Sequence, residues 1–212
     1  MSRRLGNRNS DREDVWPAFG DTMLAFLLVL MLLLVFQVAR NIQIVSGIGL
    51  IEQIQADQNK VADAVLSLKH RYGAIEISPP DGNAQEITLG SEALFESGSA
   101  ELSAHGRELL SELVRQIVAA KVRTLKEITV KGHTDDVAIR NSDFASNWEL
   151  STARATRVVR FLTGESGTGT GIDPRTVTMV AAGYGQFRPI DPQNKQRNRR
   201  IELRLVYTNR PN

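Results

Sequence analysis

Two places in this 212-residue chain combine residue types that could do chemistry. The first is Asp21, at the head of an apolar run. From Thr22 to Ala39 there are eighteen residues with no charge and one amide, Gln37. As a helix this run is about 27 Å long, enough to cross most of a bilayer's hydrocarbon core. If the helix starts at Val15, with Trp16 at the interface and Pro17 in the first turn, Asp21 lies about 9 Å along it, inside the membrane. Placing Asp at the centre of a membrane helix costs about 2.5–3.5 kcal/mol, so such acids face a protein interior and mark proton or ion paths. The structural alternative is that Asp21 caps a shorter helix starting at Thr22. The second place holds His133, Asp135 and Ser151, the residue types of a hydrolase triad. No nucleophile elbow or oxyanion motif accompanies them, so catalysis is not expected, and His133 is expected to hydrogen-bond within the fold.

Other suggestive features carry less. His70, His105 and His133 lack metal-ligand spacing, and no metal site is expected. GESGTGTG (Gly164–Gly171) has the composition of a phosphate loop without its Lys-Ser/Thr, and it runs into Ile-Asp-Pro-Arg instead of a long helix; it reads as a flexible turn, and no cofactor is implied. With no cysteine, the chain has no disulfide framework, thiolate metal site, Cys nucleophile or lipidated Cys anchor. Formal net charge is +2, and bases and acids are mixed throughout, unlike the basic stripe of a nucleic-acid binder.

The elements can be placed from spacing. Residues 1–14 are polar and read as a short disordered tail. Arg3, Arg4, Arg8 and Arg12 precede the apolar run, whereas Arg40 stands alone after it until Lys60, which predicts a cytoplasmic N-terminus and an outer, periplasmic remainder. A cleaved signal peptide fits less well: the run is long for one, has an acid at its start, and lacks a small-x-small site before Asn41. Over 40–71, Ile44, Gly47, Ile51, Ile54, Gln58, Val61, Val65 and Leu68 keep a 3-4 spacing that makes one helical seam. The seam predicts a connector helix, pairing as a parallel dimer or docked on the chain's own C-terminal domain or on a partner; in an ion-conducting complex its juxtamembrane part would also serve as a plug that blocks the channel until the outer domain is anchored. Ile75–Ile77 and Ile87–Leu89 flank SPPDGN as a hairpin. Ser103 caps a helix with Leu109, Leu110, Leu113, Val114, Ile117 and Val118 inward. A strand over Glu127–Lys131, a helix over Asn147–Leu162 with Leu150, Ala153, Val158 and Phe161 inward, and strands over Val177–Ala182 and Ile201–Tyr207 complete the pattern. Strands alternating with helices over 72–212 predict an α/β layer sandwich, its helices packed on a mixed sheet, behind a single membrane helix at 15–39 and the connector.

Five blocks then stand out in order: LFESGSAEL (Leu94–Leu102), VKGHTDD (Val130–Asp136), NWELSTARATRVVRFL (Asn147–Leu162), GYGQFRP (Gly183–Pro189) and NRRIEL (Asn198–Leu203). Together they resemble the signature of the OmpA-like peptidoglycan-binding domain. NWELSTARA is similar to the version found in MotB-type stator subunits, and GDTMLAFLLVLMLLL looks like their membrane span, in which an Asp carries the proton or sodium ion. Leu24 stands where that span often has Thr.

The resemblance implies that Asp135 takes the ammonium and Arg154 the carboxylate of the stem peptide's diamino acid. Thr134, Asn147 and Phe95 would line or order the pocket, and Arg199 would close it. An acid and a guanidinium fixed toward one pocket suit that ligand, because a bidentate fork binds carboxylate most strongly. The plain alternative is an intramolecular Asp135–Arg154 salt bridge. The loop 136–146 is longer than is usual in the family. On the same resemblance the chain is a non-enzymatic B-type subunit of a proton-driven inner-membrane rotary motor. Its implied partners are a pentamer of a polytopic MotA-like A subunit, a second copy of this chain, peptidoglycan and membrane lipid. Flagellar rotation and Zorya-type antiphage defence share that layout. The alternative is a passive single-span tether.

Overall fold

The computed structural model describes residues 15–73, 75–139, 141–165 and 171–208. The N-terminal tail with its four arginines, and residues 166–170 of the Gly-rich loop, lie outside the described residues. The chain divides into two units, Met1–Leu50 and Ile51–Asn212, and helix α1 (Val15–Tyr72) contributes to both.

In the first unit the apolar run is helical, and every large apolar side chain from Met23 to Leu34 is exposed, as are Val35, Phe36 and Val38. By length and composition this helix is able to cross a membrane. Asp21 lies within it, about 9 Å along the axis from Val15, and so holds a helical position and not an N-cap. The Thr22 hydroxyl donates to the Phe19 carbonyl at 2.9 Å.

In the second unit α1 changes character. Ile54, Val61, Val65 and Leu68 are buried in the domain's own hydrophobic core, while Ile51 is exposed. From Ile54 to Leu68 the seam is therefore docked on its own chain, one of the arrangements that its spacing allows. Polar groups lock the register. Asp57 is buried and accepts from the Arg123 and Thr124 amides at 2.9 and 3.1 Å and from the Thr124 hydroxyl at 2.9 Å. Gln58 donates to the Gly82 carbonyl and accepts from Gln85 through its own carbonyl. Gly73, at φ +69°, ends the helix in the left-handed conformation that glycine tolerates best.

The sheet runs β1 (Ile75–Ile77), β2 (Ala84–Gly90), β5 (Arg200–Tyr207), β3 (Leu125–His133), β4 (Thr178–Gly185) in space. All neighbours are antiparallel except β3 and β4. The hairpin register pairs Ile75 with Leu89 and Ile77 with Ile87. A parallel pair needs a crossover, and α4 (Asn147–Leu162) supplies it, packing on both β3 and β4. Alternation along β5 buries Ile201, Leu203, Leu205 and Tyr207 and leaves Arg204 exposed. Helix α3 (Ala104–Ala119) starts at Ser103, whose side chain accepts from the Gly106 amide at 2.9 Å.

Three expectations change. Val118 is exposed, because the buried face of α3 ends at Ile117. On α4 the fully buried alanine is Ala155, and Ala153 is only half-buried. Two four-residue helices, α2 (Ser91–Leu94) and α5 (Lys195–Asn198), were not anticipated.

Candidate functional site

The six residues singled out in the wall-binding pattern line one cleft of about 700 Å³: Phe95, Thr134, Asp135, Asn147, Arg154 and Arg199. Four segments bring them together. Phe95 comes directly after α2, Thr134 and Asp135 leave the end of β3, Asn147 and Arg154 ride on α4, and Arg199 comes directly after α5.

Glycines set how closely α4 approaches the sheet. A Cβ at Gly132 would come within 2.1 Å of the Ser151 carbonyl oxygen, and one at Gly183 within 2.1 Å of the Thr152 hydroxyl. Both strands therefore need glycine opposite the helix. Ser151, fully buried, accepts from the Gly185 amide at 3.0 Å and donates to the Trp148 carbonyl, so it ties helix to sheet and is no nucleophile. Its helix starts cleanly at Ser146, which caps the Trp148 amide. Asn147 then holds the loop after β3: its amide donates to the carbonyls of Asp135 (3.2 Å) and Val137 (3.0 Å) and to the Gln186 side chain (2.9 Å). The Thr134 amide donates to the Gly185 carbonyl, and its hydroxyl to the Asp135 carbonyl.

Asp135 pairs with Arg199, Oδ2 to Nη1 at 2.8 Å, and its Oδ1 accepts from the Val137 amide at 3.2 Å. Arg199 also binds Glu92, which takes a further hydrogen bond from Gln196 at 2.7 Å. These two carboxylates raise the Arg199 pKa, and Arg199 in turn holds the Glu92 carboxyl below its usual range. Glu92 has no place in the sequence motifs; its signal was only its proximity to Phe95 in the chain.

Arg154 is arranged differently. It is 6% exposed, its Nε donates to the Ser99 carbonyl at 2.8 Å, and its guanidinium carbon stands 4.9 Å from the centroid of the Phe95 ring. That contact is a cation–π support. No protein acceptor among the described residues takes its two terminal nitrogens. Burial lowers its pKa, the Arg199 charge adds to this and the Asp135 charge opposes it, giving about 10, so the group is cationic at neutral pH. An Asp135–Arg154 salt bridge is not formed; Asp135 is engaged by Arg199 instead.

His133 is buried, its ring stacked on Tyr184 at 5.1 Å, and its Nε2 lies 3.3 Å from a Glu202 oxygen, a partner within the fold. Among the described residues no three His, Asp or Glu side chains converge as a metal site.

A cleft with a supported guanidinium at one point and a paired carboxylate at another suits a zwitterionic ligand, and comparison with known proteins gives it a family. The OmpA family model matches residues 94–202, and the chain belongs to the OmpA family. It is 29% identical over 126 residues to Motility protein B of Bacillus subtilis (strain 168), covering 57% of this chain and 44% of that one. To Motility protein B of Helicobacter pylori (strain J99) it is 27% identical over 152 residues, covering 70% of this chain and 55% of that one. A solved MotB-like protein from Desulfovibrio vulgaris superposes with a TM-score of 0.61 at 29% identity, covering 75% of this chain and 99% of that one. The protein is thus a MotB-like OmpA-domain protein. It spans about half the length of the curated relatives it matches.

Proposed function

We propose that this chain is the B-type subunit of an ion-driven rotary motor of the inner membrane, held to peptidoglycan by its C-terminal domain. The observation that carries the reading is the similarity to Motility protein B in a chain whose helix α1 opens with an apolar stretch bearing Asp21. In it residues 15–39 span the membrane, the N-terminus is cytoplasmic, and 72–212 form the periplasmic wall-binding domain, with residues 40–71 of α1 between them as connector. Residues 40–55 plug the ion path until the outer domain is anchored. The working complex holds two copies of this chain within five copies of a multi-span A subunit, and it drives flagellar rotation or antiphage defence.

Asp21 is the ion acceptor. A proton arriving from one side neutralises a carboxylate that is costly in hydrocarbon, and its release to the other side restores the charge, so each transfer changes what the A subunit contacts favourably. The transmembrane potential supplies about 2.3 kcal/mol per charge per 100 mV. At the wall, the terminal nitrogens of Arg154 take the diamino acid's carboxylate as a two-point fork, and Asp135 takes its ammonium. Phe95 and the Ser99 carbonyl hold the guanidinium in place beforehand, which lowers the ordering cost of binding. Thr134 and Asn147 fix the loop that carries Asp135, and Arg199 closes the cleft.

Two experiments test this. Arg154→Ala should abolish co-sedimentation of the full-length chain with purified sacculi; retained binding would sink the assigned cleft. The native mass of the detergent-solubilised complex from the source cells should correspond to two copies with five of a multi-span partner. Recovery of this chain alone would replace the motor with a passive peptidoglycan tether.

A further inference from the structure

The cleft holds a buried polar side chain that the motifs do not include. Ser91 lines it, directly after β2, and is 2% exposed, yet its hydroxyl has no hydrogen-bond partner among the described residues. The other buried polar side chains of the cleft are engaged. The Thr134 hydroxyl donates to the Asp135 carbonyl, Asn147 donates to three acceptors, Asp135 holds Arg199 and the Val137 amide, and Arg154 gives its Nε to Ser99. Two things are left over: the terminal nitrogens of Arg154, which only donate, and the Ser91 hydroxyl.

The backbone of Ser91 is pinned. Its amide donates to the Arg199 carbonyl at 3.0 Å and its carbonyl accepts from the Phe95 amide at 2.9 Å, so the main chain is tied to two residues of the cleft. Glu92 comes next, and its carboxylate shares the Arg199 guanidinium with Asp135. Ser91 thus belongs to the Asp135–Arg199–Glu92 side of the cleft. A buried hydroxyl without a partner costs the fold about what a lost hydrogen bond does, and alanine would fill nearly the same space without that cost. Stability alone does not call for serine here.

A ligand does. An ammonium carries three N–H donors, and Asp135 offers it chiefly Oδ2, since Oδ1 already accepts from the Val137 amide. A hydroxyl beside that oxygen supplies a second acceptor. The two leftovers then match the two poles of a zwitterion, with donors on Arg154 for the carboxylate and an acceptor on Ser91 for the ammonium. Access comes with the ligand. Arg199 spans from Asp135 to the residue after Ser91, and an ammonium that takes Asp135 from it uncovers the hydroxyl.

We propose that Ser91 is a ligand-binding residue of the wall-binding domain, its hydroxyl accepting a hydrogen bond from the diamino acid's ammonium next to Asp135. This rests on the peptide-binding reading above and adds to it a contact that lies outside the five sequence blocks.

The test uses the purified full-length chain in detergent with two probes: a stem tripeptide ending in the diamino acid, and the same tripeptide with hydrogen in place of the side-chain ammonium. Binding of each is measured alongside the thermal midpoint. Ser91→Ala should raise the midpoint by about 2–4 °C, because the unpartnered hydroxyl is gone, and weaken tripeptide binding about tenfold. The deaminated probe, weaker on wild type, should bind Ser91→Ala within twofold of wild type. Ser91→Cys keeps the volume but accepts hydrogen bonds poorly, and should lose tripeptide affinity as Ser91→Ala does. A lowered midpoint for Ser91→Ala assigns the hydroxyl to the fold and overturns the proposal. Tripeptide binding that Ser91→Ala leaves unchanged also overturns it, as does an equal loss on both probes, which places the hydroxyl away from the ammonium. Failure of wild type to bind the tripeptide overturns the cleft reading itself.

Discussion

The two stretches of α1 obey different rules within one element. Between Met23 and Val38 the helix is apolar on every side and nothing in its own unit covers it; between Ile54 and Leu68 it is apolar along one stripe, and that stripe is buried in the core. Intrinsic helix propensity barely distinguishes the two, since both are rich in residues that tolerate helix well. What differs is the distribution of polarity around the axis. A uniformly apolar helix requires an apolar surrounding on all sides, whereas a striped one needs a single partner face and water elsewhere. Polar residues obey the same division. Asp57 in the docked stretch meets two amides and a hydroxyl of its own chain, so its charge is satisfied by the fold. Asp21 has the apolar run on one side and, in the proposed function, a partner on the other.

The most drastic way to break the contrast is at Asp21. Asp21→Asn should eliminate ion flux through the assembled complex in the source cells while leaving sacculus binding unchanged; flux at the wild-type level would return Asp21 to a structural role. Next comes Leu68→Ala, which removes a side chain that is 2% exposed. It should destabilise the domain by about 2–5 kcal/mol in denaturant titration of the purified chain. Third is Asp57. Burial pushes its carboxyl up, but the Lys60 side chain, the Thr124 amide and hydroxyl and the Arg123 amide together outweigh this and hold it below its usual range. A carboxyl lowered on folding adds stability above its unfolded value of about 3.9, and that stability is lost as pH falls through the folded one. Asp57→Asn should therefore flatten the stability profile below about pH 4 as well as lower the midpoint at neutral pH. The smallest effect is expected at Leu66, two positions from Leu68 and 46% exposed, where Ala should change stability by no more than about 0.5 kcal/mol. If Leu66 and Leu68 prove equally costly, the stripe has been placed wrongly.

Much of this was readable in the residues because the signals were local. The Asn147–Leu162 helix has a cap, a clear period and a run of sixteen residues, and the hairpin around SPPDGN has its turn chemistry written between two alternating segments. Ala153 and Ala155 were harder, because two small residues on one helix contribute little to a period. Helices α2 and α5 are four residues each, about one turn, too short for any periodicity to show. Strand order needs contacts across the whole domain, such as Ala84 with Val206, which no local pattern contains. The candidate site divides the same way. Its residue types came from motifs, but the pairing of Asp135 with Arg199 and of Arg199 with Glu92 joins segments 64 and 107 positions apart. For this reason the motifs named Asp135 and Arg154 for the ligand's two charges, but did not show that Asp135 is paired with Arg199 in the fold.

In the proposed function, that pairing has a consequence for how the wall contact is released. Because Asp135 already holds Arg199, an incoming ammonium does not fill a vacancy; it trades places with a guanidinium that keeps Glu92 as a second seat. At Asp135, attachment in the proposed function then resembles ion exchange more than capture, one ion pair being given up for one formed, so mobile salt has little to screen there. The fork between Arg154 and the ligand's carboxylate is the pair gained, and the salt dependence of binding should rest on it alone. Sacculus binding should accordingly weaken only shallowly with added salt, and a steep fall would contradict the exchange. Under that reading a competing zwitterion releases the contact more readily than brine.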